Sequence, residues 1–242
     1  MFVASNTDKG RVRDENQDRV MTKTLGENMS IAVVCDGMGG AASGGVASQL
    51  AVETVIQRVT ENFRPDMKPN SIRNMMLTAV HAANTVVYDK SREDIDKNGM
   101  GTTCVAALVV NKHIYIVNVG DSRAYLLTAD GISQITTDHT YVQMLYQSGQ
   151  ITAEDAKNHH MRNVITKAVG VEPDVEVDYF ELGEMGNFSV VLCSDGLSNY
   201  CSEEFIYETV FGKNLDEAIN ILINYANDCG GRDNITAAII AN

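Results

Sequence analysis

Cysteine is scarce in this chain, and its spacing rules out most of its usual roles. The 242 residues hold five, an odd number, at positions 35, 104, 193, 201 and 229, and no two form a Cys-x-x-Cys pair. Zinc-ribbon and thioredoxin-type readings are thereby excluded. Cys35 and Cys193 end apolar runs and are expected to be buried free thiols, which points to a reducing compartment. Only three prolines occur. No Pro- or Ser-rich linker, repeat or low-complexity segment interrupts the chain, so one continuous domain over 1–242 is the simplest organisation. No apolar run approaches the ~20 residues of a membrane span, and the first residues lack the zones of a signal peptide. A soluble, cytoplasmic chain is expected. Basic residues are also short: 19 Lys and Arg stand against 32 Asp and Glu, a formal net charge of −13. Such a surface repels nucleic-acid phosphates and argues against nucleic-acid binding. The acid excess fits carboxylates gathered to hold cations, provided particular Asp positions support it.

Two runs read as strands covered on both faces, Ser30–Cys35 and Phe188–Cys193, being short, apolar and rich in β-branched residues. Both stop at an Asp-Gly pair, Asp36-Gly37 and Asp195-Gly196. Residues 103–110 and 113–119 form another strand pair turning at Asn111-Lys112, and 122–128 and 235–240 also read as strands. Helical periodicity runs through Ile72, Met75, Met76, Ala79, Val80, Ala83, Val86 and Val87, giving a helix of about 71–90. Leu215, Ala218, Ile219, Leu222, Ile223 and Ala226 repeat the pattern after an Asn214 N-cap with Glu217 at N3. A third helix is expected at about 43–63 and a helical stretch near 140–158. Strands joined by short turns, with helices in blocks, argue for antiparallel sheets in an α+β layered fold.

The chemistry lies where these elements end. Asn16-Gln17-Asp18, Asp36-Gly37-Met38-Gly39-Gly40, Gly120-Asp121-Ser122-Arg123, Ser194-Asp195-Gly196 and Gly231-Arg232-Asp233-Asn234 each place Asp where an apolar element meets a turn. Asp-Gly is common in ordinary turns, but five such segments, two after near-identical strand runs, outweigh that bland reading. Carboxylate oxygens are hard ligands suited to Mg²⁺ or Mn²⁺. A glycine beside Asp lets the backbone approach an ion, with its carbonyl as a further ligand. Gathered carboxylates repel one another unless cations neutralise them. Two metals ~3.5–4 Å apart can share a water, acidify it and aim it at phosphorus.

Together with Arg13 and Gly101-Thr102-Thr103, these segments resemble, in order and over nearly the whole chain, the motifs of the PPM or PP2C family of protein phosphatases; the Met after Asp36-Gly37 is similar to the bacterial branch. The resemblance implies a four-layer α-β-β-α sandwich, two antiparallel sheets flanked by helices, with a two-metal centre in a cleft at one end. It implies protein serine/threonine phosphatase activity, opposing a bacterial Ser/Thr kinase, with phosphorylated proteins as substrates and a monomeric enzyme. Asp36 would bridge two Mn²⁺ or Mg²⁺ ions, the Gly37 carbonyl would bind one, and Asp195 and Asp233 the other. Asp18 would be a ligand or orient metal-bound water. Arg13 would hold the substrate phosphate through its planar guanidinium, and Asp121, with Asp195, would supply a third metal. Residues from about 140 to 175 correspond to the family's flap beside the cleft.

Two positions depart from the pattern. Gln17 stands where many relatives carry Glu, a tuning of the metal shell. Met38 stands where relatives outside bacteria carry His, the proposed acid for the leaving group; Met has no proton to give, which leaves a metal-bound water or His139. Other residues read more plainly. Arg123 is expected to brace its own turn. His159-His160 is expected not to face one way, as adjacent residues, and to be solvated. His81 reads as structural, and most methionines as helix-face core. A rival fingerprint, Gly37-Met38-Gly39-Gly40-Ala41-Ala42, fits G-x-G-x-x-A of a dinucleotide-binding oxidoreductase, but no strand ending in an acid follows the 43–63 helix. A non-catalytic phosphoprotein-binding pseudo-phosphatase would lack a core Asp, and Asp18, Asp36, Asp195 and Asp233 are all present.

Overall fold

The computed structural model describes residues 1–39, 43–93 and 99–242. Gly40, Ala41 and Ala42 of the glycine-rich segment lie outside the described residues. One sheet runs β1-β11-β10-β7-β8, from β1 (Phe2–Asp8), β7 (Arg123–Thr128), β8 (Gly131–Gln134), β10 (Ser189–Cys193) and β11 (Ile235–Ala241). The other runs β2-β3-β5-β6-β9, from β2 (Asp18–Gly26), β3 (Met29–Met38), β5 (Cys104–Val110), β6 (His113–Val119) and β9 (Asp178–Leu182), with the short β4 (Gly101–Thr102) paired to the end of β3. Every pairing is antiparallel. The helices are α1 (Ser43–Asn62), α2 (Pro69–Arg92), α3 (Tyr141–Gln147), α4 (Ala153–Asn158), α5 (Asp195–Ser198), α6 (Glu203–Val210) and α7 (Leu215–Asp228).

Three apolar layers make four structural ones. Along β5, Cys104, Ala106, Leu108 and Val110 join α1 and α2, whereas Val105, Ala107 and Val109 join Val190 and Leu192 of the opposite sheet. On β10 and β11, Val191, Cys193, Ala237 and Ile239 pack with α6 and α7. Strand side chains alternate between faces, and here both faces are covered. That is why β5 and β10 read as continuous apolar runs rather than alternating ones. The order α1–α2, sheet, sheet, α6–α7 is the expected α-β-β-α sandwich. No described helix is long and apolar enough to cross a membrane.

Local signals hold in detail. Asn111 and Lys112 both take positive φ, 47° and 69°, as a two-residue hairpin demands. Asn214 accepts from the Glu217 amide at 3.1 Å. The expected helical stretch near 140–158 is two short helices, α3 and α4, each opened by a threonine cap. β3 does not stop before Asp36 but continues through Met38, because β4 pairs with its end. The dinucleotide reading fails: β3 is followed by two successive helices, and among the described residues no parallel strand follows. His81 is a correction too, since its side chain lies on the exposed face of α2. Val86, counted in the apolar stripe, is 37% exposed, while Met76 is fully buried. Met76→Ala is expected to cost about 2–5 kcal/mol in urea unfolding and Val86→Ala less than about 0.5 kcal/mol; equal losses would contradict this helix face.

Candidate metal centre

The acids occupy one end of the layer between the sheets. Along β3, Ala32 and Val34 face the opposite sheet, and Asp36 continues their parity. Asp18, at the first position of β2, pairs directly across from Asp36. Asp121 follows β6, Asp195 follows β10 and opens α5, and Asp233 stands two residues before β11. Thus Asp18 and Asp36 come from one sheet, and Asp195 and Asp233 from the other. Gly37 is fixed by close approach: a Cβ there would collide with the Gly44 carbonyl at the start of α1. A Cβ on Gly196 would collide with the Asn234 carbonyl.

The five carboxylates act on one another electrically. Asp36 is pushed well above the ordinary carboxylate range by burial, then by the charges of Asp18, Asp195, Asp121 and Asp233. Asp195 is raised to about 7 by burial and by Asp121, Asp233 and Asp18. Burial lifts Asp18 to about 6, against the opposing pull of the Ser194 and Thr236 hydroxyls. Burial and Asp138 lift Asp121 to about 6. Asp18 Oδ2 accepts from Ser194 Oγ at 2.7 Å. Its Oδ1, like Asp195 Oδ1, is buried with no hydrogen-bond partner. Orphaned carboxylate oxygens are costly unless protonated or facing a cation. Among the described residues no three His, Cys, Asp or Glu side chains close into one ligand group. Mg²⁺-like ions use one or two carboxylates each and keep waters, so an all-oxygen set shared out in pairs fits such ions.

Arg13 reaches the cluster from the loop between β1 and β2, donating from an Nη atom to Asp233 Oδ2 at 2.7 Å, with more than half of its side chain exposed. Asn234, which carried no assigned role in the sequence, ties this loop down. Its Oδ1 accepts from the Gln17 amide, and its Nδ2 donates to the Lys9 and Glu15 carbonyls. Ser194 was equally silent, although it adjoins Asp195. Arg123, expected to brace its own turn, instead forks onto Asp138 in the segment before α3, at 2.6–3.1 Å. His139 is committed on both sides: Nδ1 accepts from the Gly120 amide at 3.1 Å and Nε2 lies 3.1 Å from Asp178. It holds the Asp121 turn and has no nitrogen left for a leaving group. His159 and His160 do stack, centroids 4.5 Å apart; they lie just beyond α4, where the chain leaves the helix at His159 and turns at His160, so helical spacing does not apply. The 140–175 stretch is pinned by backbone bonds between Thr102 and Val169 and by Asn84 to Glu172 and Pro173.

These shifts fix a pH dependence for the chain stripped of metal. Asp18, Asp121 and Asp195 hold protons in the fold at pH values where the unfolded chain, titrating at 3.8, has lost them. Stability must therefore fall as pH rises between about 4 and 7. Charging a carboxyl that titrates near 6 instead of 3.8 costs on the order of 3 kcal/mol at neutral pH. In chelator, urea midpoints are expected to drop between about pH 5 and pH 8, and Asp18→Asn to raise the midpoint at the upper end. A native midpoint that climbs over that range would contradict the cluster's repulsion.

The protein phosphatase 2C sequence profile matches residues 8–233. The serine/threonine phosphatase stp of Listeria monocytogenes is 37% identical over 241 residues, covering 99% of this chain and 95% of that protein. The crystal structure of the phosphatase Stp1 from Staphylococcus aureus superposes with a TM-score of 0.91 at 34% identity, covering 99% of this chain and 94% of that one. The catalytic domain of the phosphatase PstP, crystallised in complex with two manganese ions, gives 0.82 at 33% identity over 98% and 96%. A profile spanning nearly the whole chain, relatives matched end to end and the same sandwich in solved structures leave one reading: the chain belongs to the protein phosphatase 2C family.

Proposed function

We propose that this chain is a metal-dependent protein phosphatase that hydrolyses phosphoserine and phosphothreonine on other proteins. The observation that carries the reading is five mutually repelling aspartates at the mouth of the inter-sheet layer, two with orphaned oxygens, beside an exposed arginine. Asp36 and the Gly37 carbonyl would hold one Mn²⁺ or Mg²⁺, and Asp195 and Asp233 a second, with Asp36 shared. Asp121, with Asp195, would serve a third. Bound there, such ions supply Lewis acidity and an acidified water.

The chain's own residues do the rest. Asp18, with Oδ2 held by Ser194, keeps Oδ1 to orient the attacking water. Arg13 exchanges Asp233 for the substrate phosphate, for which its guanidinium fork is suited. Among the described residues no thiol or hydroxyl beside the cluster is activated as a nucleophile, and the aspartates are assigned to the ions and the water. Burial raises Cys35 far above its ordinary value and Cys193 to about 12, and Ser194 is fully buried on Asp18. On this reading hydrolysis runs in one step: the water oxygen bonds to phosphorus as it gives up a proton to solvent, the ester P–O bond breaks, and the alcohol oxygen leaves, taking up a proton from solvent. The whole chain acts as one catalytic domain, with 140–175 as a flap beside the cleft. A cytoplasmic, monomeric enzyme opposing a bacterial Ser/Thr kinase is the setting this reading implies.

Hydrolysis of a phosphothreonine peptide is expected to require Mn²⁺, to stop in EDTA, and to fall at least about a thousandfold in Asp36→Ala. Turnover unaffected by EDTA, or a trapped phospho-enzyme, would overturn the reading. Mn²⁺ at about 100 times its dissociation constant is expected to stabilise the fold by about 2.7 kcal/mol. Asp233→Ala should lose most of that rise in melting temperature; an equal rise in the variant would put the ion elsewhere.

A further inference from the structure

Basic side chains are few in this chain, yet four of the 19 lie on the two loops that border Asp233: Lys9, Arg11, Arg13 and Arg232. The loops are knitted together. The Arg11 amide donates to the Gly231 carbonyl at 2.7 Å, and the Lys9 carbonyl accepts from Asn234. A Cβ on Gly231 would meet Arg11 Cγ at 2.7 Å, and one on Gly230 would meet Arg232 Cγ at 3.8 Å. The two arginine stems thus flank one glycine turn. Lys9, Arg11 and Arg232 are exposed and, among the described residues, form no ion pair. The carboxylates of the same loop go elsewhere. Asp8 is used internally by the Gly10 amide and Asn227, and Glu15 lines a recess with Arg19, Val46 and Leu50 on the α1 side. Asp14 is exposed between them and offsets one of the four charges.

We infer that Lys9, Arg11 and Arg232, continuing outward from Arg13, form a cationic rim that takes acidic side chains flanking the phosphorylated residue, so that the favoured substrates are acidic phosphoproteins. This rests on the phosphatase reading of the cleft. The chain as a whole carries a net charge of −13, which repels acidic partners at long range. A local cationic rim both steers such a partner to the cleft and holds it there. The unpaired state of these cations is what a rim awaiting carboxylates requires.

The test uses the full chain with Mn²⁺ and three substrates: a phosphothreonine peptide flanked by glutamates, the same peptide flanked by glutamines, and p-nitrophenyl phosphate, which has no flanks. The native chain is expected to favour the glutamate peptide about fivefold or more in kcat/KM, with the gap closing in roughly 0.5 M salt. Arg11→Glu with Arg232→Glu should raise KM for that peptide about tenfold, leave kcat within about twofold, and leave p-nitrophenyl phosphate turnover unchanged. Arg11→Lys should retain the preference. Equal KM for the two peptides, or the same loss on all three substrates, would overturn the rim. If the native chain fails even on p-nitrophenyl phosphate, the hydrolase reading fails. Fluorescence anisotropy with the two peptides then decides the rim: tighter binding of the glutamate peptide supports it, and equal binding overturns it.

Discussion

Burying carboxylates between two sheets is the constraint on which the rest of this structure depends. Over most of its length the inter-sheet layer is apolar: Ala32, Val34, Val105, Ala107, Ile116, Ala124, Leu192 and Ala238 all face into it. At one end the same parity turns polar, at or just beyond each strand's last turn of the pleat. Val34 is followed by Asp36, Val105 preceded by Thr103, Ile116 followed by Asn118, Ala124 preceded by Ser122, Leu192 followed by Ser194 and Ala238 preceded by Thr236. All but Asp36 of these are fully buried. The hydroxyls serve the acids and their strands: Ser194 donates to Asp18, Thr103 accepts from the Asp36 amide and contacts Ser122, and Thr236 contacts Thr7. A sandwich that was apolar to its edge would be more stable and could not present these oxygens.

The loops around the cluster are held by backbone contacts that tolerate no side chain. Gly10 packs against the carbonyls of Gly231 and Asp233, Gly37 against Gly44, and Gly196 against Asn234. Three chain crossings thus meet within van der Waals distance of the acids. Asn234 then spans from β11 to both ends of the Arg13 loop. Precision of this kind suits a site whose aspartates arrive from five separate places in the chain.

Much of this was legible beforehand, for identifiable reasons. Buried strands declare themselves by unbroken apolar runs, and Asn111-Lys112 and Asn214 are local signals that need no tertiary context. The strand-end aspartates were visible because Asp at the end of a buried run conflicts with burial. Five strands were not delimited: β2, β4 and β8, and also the first and the ninth, Phe2–Asp8 and Asp178–Leu182. The last two are half-exposed and carry mixed polar sequence, so their pairing is fixed by β11 and β6 rather than by their own residues. The roles of Ser194 and Asn234, and the double commitment of His139, depend on partners 19 to 225 residues away or on a ring's orientation. Sequence spacing cannot carry that. His159 and His160 misled for the opposite reason, a helical rule applied just past a helix end.

The division of acids between the sheets has one more consequence. Asp18 and Asp36 belong to one sheet and Asp195 and Asp233 to the other, so neither half of the sandwich owns a site. The cluster is gathered only once β11 is in place between β1 and β10. Under the proposed assignment, truncated or half-assembled copies are inert by construction. The cell is spared a partly folded hydrolase, and competence for chemistry doubles as a certificate of completed folding.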